Sequence, residues 1–211
     1  MSESGYSPPA SLPALTALRE RRTAEERCEL CALPLQARHA HLLDPKQRRL
    51  LCSCDACALL FQDESARYRR IPRDTFYLMD FCLDELQWEA LSIPINLAFF
   101  FFSTAANRTL AFYPSAGGAT ESLLDLAAWK EIAAAHRRIQ QMRPDVEALL
   151  VNRLADPPEY YIAPIDRCYE LTGIVRKQWK GFTGGDEVWK AIADFFTTLR
   201  NEAVKVGRHH A

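Results

Sequence analysis

Four cysteines form two CxxC pairs, "CELC" and "CDAC", near the start of a chain of 211 residues. The first pair is Cys28 and Cys31, the second is Cys54 and Cys57, and 22 residues separate them. A CxxC turn presents two thiolates to one ion, and two such turns supply the four tetrahedral ligands of a closed zinc site. The spacing therefore predicts a structural Zn²⁺ ion bound by these four cysteines.

The same four sulfur ligands could instead hold iron, as a rubredoxin-type site or a cluster. Rubredoxin-type knuckles normally place glycine soon after each pair, where this chain has Ala32 and Ala58, so zinc is favoured. A thioredoxin-like redox pair needs only one CxxC and a βαβ context. An HNH nuclease would need Asn and His in the helix that follows, and "ALLFQDESARY" contains neither.

Three further residues between the two pairs are possible alternate ligands. Cys52 lies two residues before Cys54, so that on a strand both side chains would point to one face. Cys52 could replace one of the four ligands or support one of them. His39 and His41 share a strand face, and they could bind a second ion, approach the first, or be ordinary hairpin residues. The sequence favours the last of these and leaves the others open.

The elements around the cysteines fit a zinc module. "HAHLL" and "RRLLC" predict two short strands joined by a turn at residues 44–47, and "CDACALLF" predicts the start of a helix. A knuckle, a hairpin and a second pair at a helix N-terminus are together similar to a treble-clef zinc finger. The positive end of the helix dipole also favours thiolates.

The rest of the chain predicts an α+β domain, in which an antiparallel sheet packs with helices. "INLAFFFFST" and "TLAFYP" predict a hairpin whose phenylalanine-rich strand is covered on both faces, followed by a loop at "SAGGATES". "LLDLAAWKEIAAAHRRIQQM" predicts one helix, "VEALLVNRL" a strand and "PPEYYIAPI" an extended segment. Two helices follow, and the last should bury Trp189, Ile192, Phe196 and Leu199.

These elements divide the chain into four parts. Residues 1–24 form a partly disordered N-terminal segment, 25–66 the zinc-binding module, 67–205 the α+β domain and 206–211 a disordered tail.

Apolar residues make up 48% of the chain and the net charge is -1, which is ordinary for a globular protein. The start of the chain does not have the pattern of a signal peptide, and the apolar run "IPINLAFFFF" is too short to span a bilayer. We therefore expect a cytoplasmic protein, with reduced thiols and with Cys82 and Cys168 in the core.

A basic segment, "RYRRIPR", directly follows the zinc module. It could grip a phosphate backbone with Tyr68 stacking on a base, or it could meet an acidic protein partner. The near-zero net charge and the lack of a recognition helix argue against nucleic acid. Its arginines are Arg67, Arg69, Arg70 and Arg73.

Several segments resemble one uncharacterised bacterial domain family, found in gene neighbourhoods of actinobacterial-type, high-affinity NiFe-hydrogenases. They include "RCELC", "HAHLLD", "RRLLCSCDACALLF", "SIPINLAFFFFS", "YPSAGGATESLLDL" and "APIDRCYELTGIVRKQW", and the resemblance covers about residues 27–200. It implies an accessory role in maturation, cluster delivery, subunit docking or electron transfer, with a hydrogenase subunit or maturation factor as the partner. It carries over the two CxxC pairs, with Cys52 also in the pattern, and no catalytic residue.

Together these observations favour a non-enzymatic, zinc-binding accessory protein that acts through protein–protein contacts. Two alternatives stay open: an iron-binding electron-transfer protein using the same cysteines, and a nucleic-acid-binding regulator using residues 67–73. An enzyme also stays open, although the sequence shows no catalytic constellation such as a nucleophile with an adjacent base.

Overall fold

The computed structural model describes residues 26–61, 67–123, 125–181 and 183–207. The strands are β1 (Ala40–Asp44), β2 (Arg49–Ser53), β3 (Arg69–Arg70), β4 (Phe76–Leu78), β5 (Leu97–Ser103), β6 (Arg108–Ser115), β7 (Gly118–Ser122), β8 (Glu147–Asn152), β9 (Glu159–Pro164) and β10 (Val204–Val206). The helices are α1 (Asp55–Leu60), α2 (Glu85–Ala90), α3 (Leu126–Ala134), α4 (Arg137–Gln140), α5 (Ile165–Gln178) and α6 (Asp186–Glu202). The predicted segment 1–24 and most of the predicted tail lie outside the described residues.

The described strands form two sheets of different size. The small sheet has the order β2-β1-β3 and is antiparallel. The large sheet has the order β10-β4-β9-β8-β5-β6-β7 and is antiparallel except for the parallel pairing of β10 with β4. The predicted α+β class is therefore confirmed, and the predicted hairpin is the β5–β6 pair.

Helices cover both faces of the large sheet, because alternate side chains of its central strands point to opposite sides. Phe99 and Phe101 of β5 pack in one core with the buried residues of α5 and α6. Ala98 and Phe100 pack in a second core with residues of α2, α3 and α4. The predicted burial of the phenylalanine-rich strand holds for residues 97–101, whereas Phe102, near the end of the strand, is 39% exposed.

The small sheet rests on the large domain through several contacts. Leu43 of β1 and Ile71, just after β3, are buried in the same core as α5 and α6. The guanidinium Nε of Arg69 lies 3.0 Å from Oδ2 of the buried Asp145, which precedes β8. In the turn between β1 and β2, Arg48 lies 3.6 Å from the Glu121 carboxylate of β7. Strand β3 falls within the range that the sequence assigned to the larger domain, yet it pairs with β1 of the module.

Two predicted elements differ from the structure. "SAGGATES" is not a loop: it contains a tight turn and strand β7, because Gly118 adopts a φ of 112° that suits a hairpin turn. The single helix predicted after it is broken into α3 and α4 at His136, whose backbone is extended. The His136 ring instead packs edge-on against Phe81, with 5.2 Å between the ring centroids, so a tertiary contact overrides the helical pattern.

Two side chains predicted to be buried are exposed. Trp189 of α6 is 44% exposed, because the buried stripe runs through Val188, Ile192, Phe195, Phe196 and Leu199. The Trp189 indole lies over the preceding loop and donates a hydrogen bond to the Thr183 carbonyl. Cys82 is also exposed, whereas Cys168 lies in the core as predicted.

Candidate metal centre

A tight turn presents Cys28 and Cys31, the first CxxC pair. The Ala32 amide donates to the Cys28 carbonyl at 2.8 Å, and the Cys28 amide donates to the Leu33 carbonyl at 2.8 Å. Ala32 adopts a φ of 61°, the left-handed conformation that usually favours glycine. The sequence favoured zinc over iron because rubredoxin-type knuckles place glycine where this chain has Ala32. That argument is weakened, because Ala32 adopts the backbone conformation that glycine would adopt there.

The second pair lies at the start of α1. Cys54 is the N-cap residue of this helix, and its sulfur accepts a hydrogen bond from the Cys57 amide at 3.4 Å. Cys57 lies in the first turn of α1, where the positive end of the helix dipole favours thiolates. The predicted order of knuckle, hairpin and helix is present, since the first pair precedes β1 and the second follows β2.

The structure brings these four residues together, and we refer to them as the four-cysteine cluster. Their sulfur atoms lie about 3.5–3.9 Å apart. The separation between the Cys31 and Cys54 sulfurs, for example, is 3.7 Å. Three of the four side chains are buried, and Cys31 is exposed. A tetrahedral zinc thiolate site, with Zn–S bonds of about 2.3 Å, has sulfurs about 3.8 Å apart, so the cluster fits such an ion.

The thiols of the four-cysteine cluster do not ionise alike. Burial opposes ionisation of Cys28, but hydrogen bonds from backbone amides, that of Cys54 foremost, outweigh it and lower its pKa to about 6. Burial, followed by interactions with the neighbouring cysteine sulfurs, raises the pKa of Cys57 to about 12. Four thiolates this close repel one another, and a bound divalent cation would remove that repulsion.

The knuckle is fixed to the hairpin by Glu29. Its backbone amide donates to the Cys52 carbonyl at 2.9 Å, and its carboxylate accepts from the Cys52 amide at 2.9 Å. The same carboxylate forms an ion pair with Arg49 of β2. These contacts set the distance between the two halves of the four-cysteine cluster. The sequence offers no signal for them, because Glu29 looks like an ordinary surface carboxylate.

The alternate ligands His39, His41 and Cys52 gather in a second group, which we call the histidine–cysteine cluster. Their ligand atoms lie within 4.8 Å of one another. Cys52 belongs to this group and not to the four-cysteine cluster, although Cys54 follows it by only two residues. His41 also contacts Asp166 of α5, with 2.7 Å between Nδ1 and Oδ2. The sequence could not reveal this contact, since 125 residues separate the two side chains.

The basic segment is largely engaged within the molecule. Arg67 pairs with the buried Asp44, Arg69 with Asp145, and Arg73 with Asp55. Hydrogen bonds from Arg67 and the adjacent turn amides overcome the effect of burial and lower the pKa of Asp44, so this carboxylate is ionised at neutral pH. These pairs reduce the positive charge that the segment offers to a phosphate backbone, which disfavours the nucleic-acid alternative.

The fold and site define an α+β protein with a four-cysteine cluster suited to a metal ion. A family model matches residues 27–203, and the chain belongs to this family, DUF5947, a family of unknown function. No curated protein and no solved structure matches the chain. Within the described ranges, no helix has the length and apolar character needed to cross a membrane.

Proposed function

We propose that this protein is a non-enzymatic cytoplasmic accessory protein whose four-cysteine cluster holds one structural zinc ion. The observation that carries the proposal is the convergence of four sulfurs at spacings that suit tetrahedral Zn²⁺. The order of knuckle, hairpin and helix supports a module of the treble-clef type. None of the seven cysteines, all of which the structure describes, forms a disulfide, which agrees with a reducing compartment.

The small size of the module's core supports a structural role for the ion. Four apolar residues of the small sheet and α1 form its buried cluster, and they are Ala40, Leu42, Leu51 and Ala58. A core this small does not hold a sheet and a helix together without an additional cross-link, and a structural zinc ion is a common one. The ion would therefore fix the positions of the knuckle and α1.

The metal assignment is tested on anaerobically purified full-length protein by metal analysis and an optical spectrum. Zinc thiolate sites are colourless, so we expect no visible absorbance and at least one zinc per chain. Cys54→Ser should lose one equivalent while keeping the helix cap, because serine is also a favoured N-cap residue. The exposed Cys82→Ser is the matched control and should lose none. A visible iron band, or full zinc retention in Cys54→Ser, would contradict the assignment.

A surface on the zinc module suits a protein partner. Three consecutive apolar side chains at the end of α1 are exposed, Leu59 at 54%, Leu60 at 76% and Phe61 at 38%, while Ala58 beside them is buried. Contiguous exposed apolar side chains often mark protein interaction sites. We propose that this surface contacts a NiFe-hydrogenase subunit or maturation factor. The choice of partner rests on the sequence resemblance alone.

The partner is tested by affinity purification of the tagged chain from cells that make such a hydrogenase. A hydrogenase subunit or maturation factor should co-purify with the wild-type chain, and a Leu59→Ser/Leu60→Ser double variant should retain much less of it. Leu86→Ser is the control, because Leu86 is 78% exposed on α2, a helix of the large domain. Absence of hydrogenase components from the wild-type sample, or equal recovery with the double variant, would reject this partner and surface.

A further inference from the structure

The histidine–cysteine cluster has the side chains of a metal site and lies apart from the four-cysteine cluster. His39 precedes β1, and His41 is on β1 directly across from Cys52 of β2 in the strand register. The two histidines are two residues apart and share one face of the hairpin. Imidazole nitrogen and thiolate sulfur are ligands that zinc and similar ions prefer.

The hydrogen bonds of the two histidines fix which ring nitrogens carry protons. His39 Nδ1 lies 2.9 Å from the Gln36 carbonyl oxygen, and His41 Nδ1 lies 2.7 Å from Oδ2 of Asp166. A carbonyl or carboxylate oxygen only accepts, so both Nδ1 atoms must donate. In the neutral rings, both Nε2 atoms therefore carry a lone pair and no proton.

These two Nε2 atoms face each other at 3.2 Å. Two lone pairs at that distance repel unless a cation or a shared proton lies between them. Two imidazole nitrogens bound to one tetrahedral zinc ion, with Zn–N bonds of about 2.0–2.1 Å, are about 3.3–3.4 Å apart. The observed separation is therefore close to that of two ligands of the same ion.

The contacts behind the histidines are also those of metal ligands. A metal-binding histidine usually donates its other ring N–H to a carboxylate or a backbone carbonyl, which fixes the ring and increases its basicity. His41 donates to a carboxylate and His39 to a carbonyl. A further carboxylate, that of Glu26, lies 3.6 Å from His39 Nδ1 and adds negative charge that favours a cation.

We propose that His39, His41 and Cys52 form a second metal site that binds a late first-row divalent ion such as Zn²⁺. Three protein ligands leave the fourth tetrahedral position for water or an exogenous ligand, which distinguishes this open site from the closed four-cysteine cluster. The site is also placed to join two parts of the molecule. Its three ligands lie in the zinc module, and Asp166, which orients His41, lies in the first turn of α5 in the large domain.

The site is tested by metal titration of the full-length chain after one zinc equivalent has filled the four-cysteine cluster. Added Co²⁺ should bind as a second equivalent and give the visible bands of a tetrahedral site with nitrogen and sulfur ligands. A His39→Ala/His41→Ala variant should bind Co²⁺ at least about 100-fold more weakly while keeping the first zinc. His136→Ala is the control, because this histidine also lies near a carboxylate, Asp80, and is outside the cluster.

A second variant keeps the test decisive if the double variant does not fold. Asp166→Asn leaves all three ligands in place, and it should weaken the second site by roughly 10- to 100-fold without loss of zinc from the four-cysteine cluster. Wild-type protein that binds one metal ion in total would overturn the second site and leave a shared proton between the histidines. Loss of both ions from a histidine variant that circular dichroism shows to be folded would place the histidines at the ion of the four-cysteine cluster and overturn the second site as well.

The outcomes separate this site from the proposed function. If Cys54→Ser keeps all of its zinc while the histidine variant loses one ion, the structural assignment fails and the second site stands. If the reverse pattern is found, the second site fails and the structural assignment stands.

Discussion

The two sheets of this molecule are held together in different ways. In the large sheet, the central strands β5 and β8 are covered on both faces by helices, and residues such as Phe100 and Leu149 are fully buried. The small sheet has a buried apolar cluster of only four residues, next to the four-cysteine cluster. Apolar burial is enough to stabilise the first region. If the four-cysteine cluster holds an ion, as we propose, the second also depends on bonds to that ion, so the stability of the two regions should respond to different changes.

Removing the metal should give the largest effect, and only in the module. A structural zinc ion contributes about 10–16 kcal/mol of binding free energy in zinc-finger peptides, which exceeds what a small apolar core supplies. After treatment with a strong chelator, the backbone amides of β1, β2 and α1 should exchange rapidly with solvent, while β5 and β8 stay protected. Hydrogen exchange with mass spectrometry measures this, and adding zinc back should restore protection. Full protection of β1 after chelation would show that the small sheet does not need the ion.

Substitution in the large core should produce the opposite pattern. Phe100 is fully buried and stacks on Trp129, with 4.9 Å between the ring centroids. Phe100→Ala should cost about 3–5 kcal/mol of the free energy of unfolding, because it leaves a cavity between β5 and α3, and the zinc content should not change. Chemical denaturation measures the free energy of unfolding, and metal analysis measures the zinc content. Phe102→Ala, on the same strand at a partly exposed position, should cost much less, and an equal cost would argue against the cavity explanation.

The ion pair between the two regions should have an intermediate effect. Asp145 is buried, accepts two hydrogen bonds from Thr104 and lies beside Arg69 of β3. Asp145→Asn removes the charge and leaves Arg69 unpaired, so we expect a loss of about 1–3 kcal/mol and faster amide exchange in β3. Thermal melting and hydrogen exchange measure these changes. The exposed Lys180–Glu187 pair is the control, and Glu187→Gln should have no measurable effect. If Asp145→Asn also leaves stability and amide exchange unchanged, the Asp145–Arg69 pair does not couple the two regions.

The smallest effect concerns pH, and it should act on the module alone. In the metal-free protein, Cys28 has a pKa of about 6 and Cys57 of about 12, so at pH 7 the first is mainly a thiolate and the second a thiol. Zinc must displace the proton of Cys57 at every pH from 5 to 8. Below about pH 6 it must also displace the proton of Cys28. The apparent zinc affinity should thus fall as pH is lowered, with one further factor of about ten per pH unit below pH 6. Competition with a chelator from pH 5 to 8 measures the slope, and a constant slope would contradict the low pKa of Cys28.

The local parts of the structure could be predicted from the sequence. The CxxC turns, the β1–β2 hairpin and the start of α1 depend on residues that are close in the chain, where spacing carries the information. The β5–β6 hairpin and α5 follow from apolar patterns of the same kind. These patterns also place the thiols of the four-cysteine cluster near one another, because the hairpin folds the second pair back towards the first.

The parts that were missed depend on distant contacts. Strands β4 and β10 are three residues long, and each is defined by its pairing with strands far away in the chain and not by its own pattern. Trp189 is exposed because α6 packs through Val188 and Phe195 instead, and helical spacing alone does not decide between these neighbouring faces. The contact of His41 with Asp166 joins the module to α5, and the residues next to either one in the sequence give no basis for predicting it.

The turn that carries Arg48 has one more consequence. Strand β7 is one of the two edge strands of the large sheet, and among the described residues no strand pairs with its outer side, so its backbone groups could pair with a strand of another molecule. Glu121 of this strand is held by Arg108 and, from the β1–β2 turn, by Arg48. The β1–β2 turn thus adds a charged side chain beside this edge strand, and charged side chains on an edge strand disfavour edge-to-edge pairing with another molecule.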